Sequence, residues 1–308
     1  MTSTSLAPAA RSAMRAAPLL IPALLACYFV WGSTYLAIHA ALASFPPFFQ
    51  MGTRFLAAAA LLMAWVAFRG HALPNRSEWR NALIVGTLML GGGMGLTAVA
   101  STQVGSGLIA TFIAVVPMMV CGWGLLFGVR PRALEVAGMV VGLVGVGLLA
   151  RGASFSAAPL GLAALAAACM AWSLGSVLST TRLPLARGPA GFASEMLCGG
   201  VVLMLASTAT GEKFDWPPTP MAAAAWVYLV VFGSLIGFSA YLFLLAHATP
   251  AMATSYAFVN PVIALLLGVG LAGEVVTAAE WGASGVVLLG VVLILLAARK
   301  PRPQVKRA

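Results

Sequence analysis

The chain has 308 residues, of which 61% are hydrophobic and only 8% charged, with a net charge of +10 at pH 7. A soluble domain carries about 25% charged residues, so a chain this apolar lacks the polar surface to cover a water-soluble core. Soluble enzymes and secreted disulfide scaffolds are excluded, which leaves a polytopic helical membrane protein.

Apolar runs predict ten membrane spans, at about 18–40, 46–68, 80–100, 104–127, 133–150, 158–180, 189–209, 222–246, 250–272 and 279–298. Each can cross a hydrocarbon core of about 30 Å. The expected fold class is an all-α polytopic membrane protein with ten transmembrane helices. Two tails (1–17 and 299–308) and short loops remain, with no room for a soluble catalytic domain.

The first run follows Arg11 and Arg15, as a signal peptide would. Its apolar stretch continues past Ala40, too long for a signal core, so it reads as helix 1. About midway it carries Trp31, Ser33, Thr34 and Tyr35. Hydroxyls flanked by aromatics suit a pathway that stacks and hydrogen-bonds a small amphipathic molecule. The competing reading is interhelical glue. Helix 2 buries Arg54 a third of the way in, at a cost of roughly 2.5–3.5 kcal/mol on insertion scales if it sits mid-membrane. Helix 3 contains Gly91–Gly95, "GGGMG". It has no phosphate-loop spacing and reads as a flexible or tightly packed membrane segment.

Helix 4 carries Pro117 and helix 9 carries Pro261, each of which removes a helical hydrogen bond. Freed carbonyls can line a cavity or form a gate, so both are gating candidates. Helix 6 offers Trp172, Ser173 and Ser176, and helix 9 offers Tyr256 and Asn260 one turn apart on one face. Gly138, Gly142 and Gly145 in helix 5, with Gly282 and Gly285 in helix 10, suggest two close-packing faces, for which a homodimer contact is one use. The stretch Gly282–Gly285, "GASG", resembles an intramembrane serine protease motif, but His39, His71 and His247 supply no well-placed base. The four cysteines, Cys27, Cys121, Cys169 and Cys198, all fall inside spans without paired spacing. They read as packing residues, and no metal site or cofactor is expected.

The basic residues alternate sides. Fourteen of 17 Lys and Arg fall in the tails and loops on one side, against Arg151 and Lys213 on the other, with Arg54 between. The positive-inside rule puts both termini in the cytoplasm. The positive charge is thus a topology signal with a secondary attraction to anionic lipid, not a nucleic-acid site.

This sidedness places Arg54 roughly 12 Å below the outer face and Glu195 of helix 7 about 8–9 Å above the inner one, at 1.5 Å per residue. About 10 Å along the membrane normal then separates them in a 30 Å core. The expectation is two separate sites, each held by neighbouring polar groups near its own gate. Direct pairing and snorkelling are the competing readings.

Four markers recur at nearly one offset: Trp31 and Trp172 (141), Arg54 and Glu195 (141), Pro117 and Pro261 (144), Glu135 and Glu280 (145). They divide the chain into five-helix halves, 18–150 and 158–298. Five is odd, so the second half starts on the opposite side: the repeat is inverted, as in secondary transporters.

The stretches "WGSTYLAIH" (31–39), "RFLAAAALL" (54–62) and "SYAFVNPVIALLLG" (255–268), with the two mid-helix prolines, resemble the drug/metabolite transporter superfamily. The match is to the ten-helix EamA family and most nearly to its YedA-type exporters. That resemblance implies an inner-membrane exporter of small metabolites or drugs, amino-acid-like or amphipathic compounds among them, working without ATP hydrolysis. It implies neither a catalytic residue nor a nucleic-acid partner. A passive channel or facilitator is the alternative, and its pore would need a polar lining that these spans lack.

Overall fold

The computed structural model describes residues 8–104, 109, 112–151, 159–214, 216–272 and 277–299. Among them every regular element is helical, as required of a chain that satisfies its backbone groups within lipid. The helices are α1 (Pro8–Leu42), α2 (Pro47–Phe68), α3 (Arg76–Ala100), α4 (Val116–Leu126) and α5 (Ala133–Ala150). The second set is α6 (Pro159–Thr181), α7 (Pro189–Ala209), α8 (Pro220–His247), α9 and α10 (Ala278–Arg299). Helix α9 comprises Pro250–Thr254 and Tyr256–Ala272, separated by a turn at Ser255.

Seven of these helices contain stretches long and apolar enough to cross a membrane; α4 and α5 are shorter apolar helices and α9 is divided. Proline opens α2, α7, α8 and α9, where its missing N–H is not needed and its φ is already helical. Gly70 and Gly211 take positive φ just past α2 and α7. There the next residue returns a hydrogen bond into the last turn, His71 N to Val66 O at 3.1 Å and Glu212 N to Ser207 O at 3.0 Å. These two stops are themselves 141 residues apart, the repeat offset.

The last helix of each half also starts alike. Glu135 Oε2 accepts from Arg132 N at 2.8 Å, and Glu280 Oε2 accepts from Thr277 N at 2.7 Å. Each carboxylate satisfies an orphan donor and sits at the positive end of its helix dipole.

The chain packs as two inverted five-helix repeats. Helix α1 lies against α8 and α9, and its counterpart α6 lies against α3 and α4. Helix α2 pairs with its own counterpart α7, and α5 with α10. Interface glycines set the register of these last two pairs. A Cβ on Gly52 would meet Met204, and one on Gly200 would meet Leu56, so α2 and α7 run antiparallel. Along α5–α10, a Cβ on Gly138 would lie 2.7 Å from Gly290 O, and one on Gly145 2.6 Å from Val287 N. The close-packing face expected on α5 is therefore used within the chain. Its partner glycine on α10 is Gly290; Gly282 and Gly285 have nothing within 4 Å of a Cβ among the described residues.

At the end of the bundle carrying the α1–α2 and α7–α8 loops, Glu212 reaches across the repeats. Its two carboxylate oxygens accept from Phe48 N at 3.0 Å and Phe49 N at 2.8 Å, capping α2. Phe45, Phe49 and Phe214 stack over this contact with centroids 4.8–6.4 Å apart.

Candidate functional site

Two helices depart from α geometry at equivalent places. Residues Thr87–Gly95 of α3 and Leu229–Phe238 of α8 form π-helical segments. Such segments are rare and concentrate at functional sites. Both contain glycines that receive a tryptophan from the facing helix. A Cβ on Gly93 would lie 2.9 Å from Trp172 Cε3, and one on Gly237 would lie 2.5 Å from Trp31 Nε1. The "GGGMG" stretch is therefore the tightly packed segment that the sequence admitted, and a second one stands in α8.

Between these tryptophans the aromatic rings meet. Trp31 packs on Trp172, Tyr241 and Tyr256 at centroid distances of 5.6, 5.2 and 4.6 Å, and Trp172 packs on Tyr241 at 5.2 Å. The mostly edge-on and tilted geometry suits ring quadrupoles. Together they form a plug near the middle of the bundle.

A cavity of about 60 Å³ sits on one side of the plug, room for a few waters. Trp31, Trp172 and Tyr256 form its floor, and Thr34, Tyr35, Ile38, Met94 and Thr97 rise from it toward the end carrying the α1–α2 loop. No charged side chain lines it. Its threonine protons are already committed: Thr34 Oγ1 donates to Trp31 O at 2.8 Å and Thr97 Oγ1 to Gly93 O at 2.7 Å. The wall is apolar with a few fixed oxygens, the usual make-up of a small-molecule site.

Trp31, Thr34, Tyr35, Trp172 and Tyr256 thus meet in one cavity. Ser33 lies elsewhere: its Oγ hydrogen-bonds Tyr228 Oη at 2.6 Å and Val30 O at 2.7 Å, facing α8. Ser176 sits under the plug, bonded to Trp172 O at 2.7 Å and Tyr241 Oη at 2.9 Å. Asn260 stands behind the wall, its Nδ2 donating to Tyr35 Oη at 3.5 Å. Sequence reasoning took Cys169 for a packing residue and did not place the α3 wall (Met94, Thr97), Ile113 or Tyr241 at the site. The repeat offset of 144 links Thr97 to Tyr241 and was the available signal.

Pro117 stands in the first turn of α4, just past a turn at Ala114–Val115 that separates α4 from helical residues 112–113. Pro261 lies inside α9, six residues past the Ser255 turn.

Arg54 is 1% exposed, and its guanidinium carbon lies 4.5 Å over the Phe55 ring. Among the described residues its Nε and Nη1 have no hydrogen-bond partner, nor does either carboxylate oxygen of Glu195, so the polar groups expected to hold each charge make no bond to these atoms. The helix register explains the separation. Gly52–Met204 and Gly200–Leu56 put residue 54 opposite 202 and residue 195 opposite 61. Seven residues at 1.5 Å leave roughly 10 Å between them along the helices. Arg54 Nη2 instead lies 3.8 Å from where a Gly233 Cβ would stand, against the α8 π segment.

Ser284 Oγ is buried and without a partner among the described residues, so the Gly-Ala-Ser-Gly stretch holds no Ser–His pair in this conformation. No cluster with metal-ligand potential occurs among the described residues.

Known proteins match this architecture. The model of the EamA-like transporter family matches residues 19–151 and 159–296. The chain is 43% identical over 278 residues to the uncharacterized inner membrane transporter YedA of Escherichia coli (strain K12), covering 90% of each chain. It is 26% identical over 275 residues to protein PecM of Dickeya dadantii (strain 3937), covering 87% of each. A solved crystal structure superposes with a TM-score of 0.74 at 23% identity, covering 93% of this chain and 99% of the other, and shares the fold.

Proposed function

The chain belongs to the EamA-like transporter family, and from that membership we propose that it is a secondary-active exporter of small amphipathic metabolites or drugs, working by alternating access across the inner membrane. The charge distribution supports cytoplasmic termini, so the cavity faces outward and the aromatic plug closes the cytoplasmic route. Export is the direction that the resemblance read from the sequence implies. The name of the Escherichia coli relative supports the inner-membrane location.

The observation that carries the reading is the cavity at the junction of the inverted repeats, floored by packed aromatic rings and walled by residues nearer one end of the bundle. A secondary transporter binds its substrate at such a junction and exposes it to one side at a time. At about 60 Å³ the cavity is narrow, so a metabolite-sized ligand enters by displacing side chains at the plug. Trp31, Trp172 and Tyr256 offer faces for stacking, and Thr34, Thr97 and Tyr35 offer polar contacts.

Proteoliposome transport of amino acids and amphipathic amines, with and without a pH gradient, tests the proposal. Accumulation of a compound against its concentration gradient is expected. Movement only down the gradient, unchanged by pH, would instead make the chain a facilitator.

A further inference from the structure

Trp31 and Trp172 occupy equivalent sockets, but only Trp31 docks its indole N–H on the backbone of the facing π segment. Trp31 Nε1 donates to Gly233 O at 3.2 Å, while Trp172 Nε1 is buried beside Tyr241 and makes no hydrogen bond to α3 among the described residues. The sockets correspond in detail. Gly237 and Gly93 beneath the two rings are 144 residues apart, as are the residues 220 and 76 that begin α8 and α3. The acceptor, Gly233, also faces Thr34, whose Cγ2 lies 3.3 Å from a Cβ built there. Its equivalent Met89 faces Gly175, whose Cβ would lie 2.5 Å from Met89 Cγ. Thr34 and Gly175 are separated by 141, the offset of the two tryptophans.

The cavity respects this asymmetry. It borders Gly93, Met94 and the undocked Trp172 on the α3 side. On the α8 side Trp31 is docked, Cys27 Sγ rests 3.8 Å from Gly237 O, and the packing is closed. In an inverted repeat, exchanging the conformations of the halves turns one facing state into the other.

We propose that the two π segments form an exchanging latch, and that its exchange opens a second vestibule at the opposite end of the bundle. Trp31 leaves Gly233 O, Trp172 donates to the backbone carbonyl of Met89, and the plug reverses. Applying the repeat offsets to the present cavity identifies the new wall. Gly93 becomes Gly237, Thr97 becomes Tyr241, Val116 becomes Asn260, Tyr35 becomes Ser176 and Ala168 becomes Cys27. This accounts for Ser176 and Asn260, polar groups at pathway depth that the present cavity does not use. A π turn suits the role because its backbone ladder is already out of α register, so a carbonyl can be offered to a side chain and taken back. The inference rests on the alternating-access reading.

Two native thiols report on the two vestibules: Cys169 lines the present cavity and Cys27 belongs to the second. Variants retaining only one of them, reconstituted in lipid, are alkylated with N-ethylmaleimide, and the Cys27 to Cys169 rate ratio is compared. Trp31→Phe removes the bond made in this state and should raise the ratio. Trp172→Phe removes the bond made in the other state and should lower it. Each shift should be about two- to tenfold, the equilibrium change expected of one net hydrogen bond. Gly237→Ala fills the Trp31 socket with the indole intact and should act as Trp31→Phe does, which keeps the test alive if that variant does not fold. Shifts in the same direction, or an unchanged ratio in folded variants, would overturn the latch. Wild-type transport with an unmoved ratio sinks the latch alone, whereas opposite shifts in a protein that accumulates nothing sink the exporter reading.

Discussion

The α5–α10 and α1–α8 seams are both lined with glycine, but different obstacles face those glycines. Along α5–α10 the atoms a Cβ would strike are mostly backbone: Gly290 O, Val287 N and, for Gly290 itself, Gly142 N at 2.5 Å. Both helices there are uninterrupted α. Along α1–α8 the obstacle at Gly237 is the Trp31 indole, at Gly233 it is the Thr34 methyl, and α8 is π-helical at both. Backbone against backbone has no rotamer to yield, so the first seam is the more rigid of the two. A side chain seated on a π turn can leave and return, so the second seam is where a gate can operate. Glycine marks both, and only the identity of the opposing atom distinguishes them.

The largest effect that would break this contrast is loss of the folded protein. Gly290→Leu drives a side chain into the α5 backbone, and overpacking of this kind costs about 1–3 kcal/mol or more. It should leave little monodisperse protein after detergent extraction. Gly282→Leu, on the same helix with nothing within 4 Å, should be extracted like the wild type. Equal yields from the two would mean that the α5–α10 seam is not fixed.

Next in size is a loss of transport with the fold retained. Trp31→Ala empties the α8 socket and removes part of the cavity floor, so transport should fall to background while expression stays near wild type. Normal transport by this variant would reduce the aromatic plug to packing.

The smallest expected effect concerns Arg54 and Glu195. Arg54 Nε and Nη1 lack hydrogen-bond partners among the described residues, so Arg54→Met removes a buried charge that no counter-charge balances there and should leave thermal stability unchanged or raise it. In a double-mutant cycle with Glu195→Gln, the coupling should lie within a few tenths of a kcal/mol, as for groups roughly 10 Å apart. Coupling above about 1.5 kcal/mol would mean that the two charges pair directly.

The sequence made the helices legible because lipid leaves a chain few alternatives: about 20 apolar residues mark each span, and opening prolines or closing glycines mark several of their ends. The repeat was legible because Trp31/Trp172 and Arg54/Glu195 keep one spacing. The separation of the charges followed from depth alone, and the α2–α7 register agrees with it. What stayed hidden depends on rotation about helix axes. Ser33 and Thr34 are chain neighbours, yet one faces Tyr228 and the other the cavity. Residue spacing does not fix that rotation when neither side of the helix is polar solvent. The α8 π segment was also missed, because "FGSLIGF" (232–238) carries two glycines where α3 carries four in "GGGMG". What sets it apart is the Trp31 contact, a tertiary fact.

The central claim is that the cavity between the repeats holds the transported compound. Protection of Cys169, which lines that cavity, tests it most directly in a variant with Cys169 as its sole cysteine. N-ethylmaleimide should block transport by this variant, and a saturating concentration of a transported compound should slow the modification of Cys169 several-fold. Continued transport after complete modification, or a transported compound that leaves the Cys169 rate unchanged, would contradict the claim.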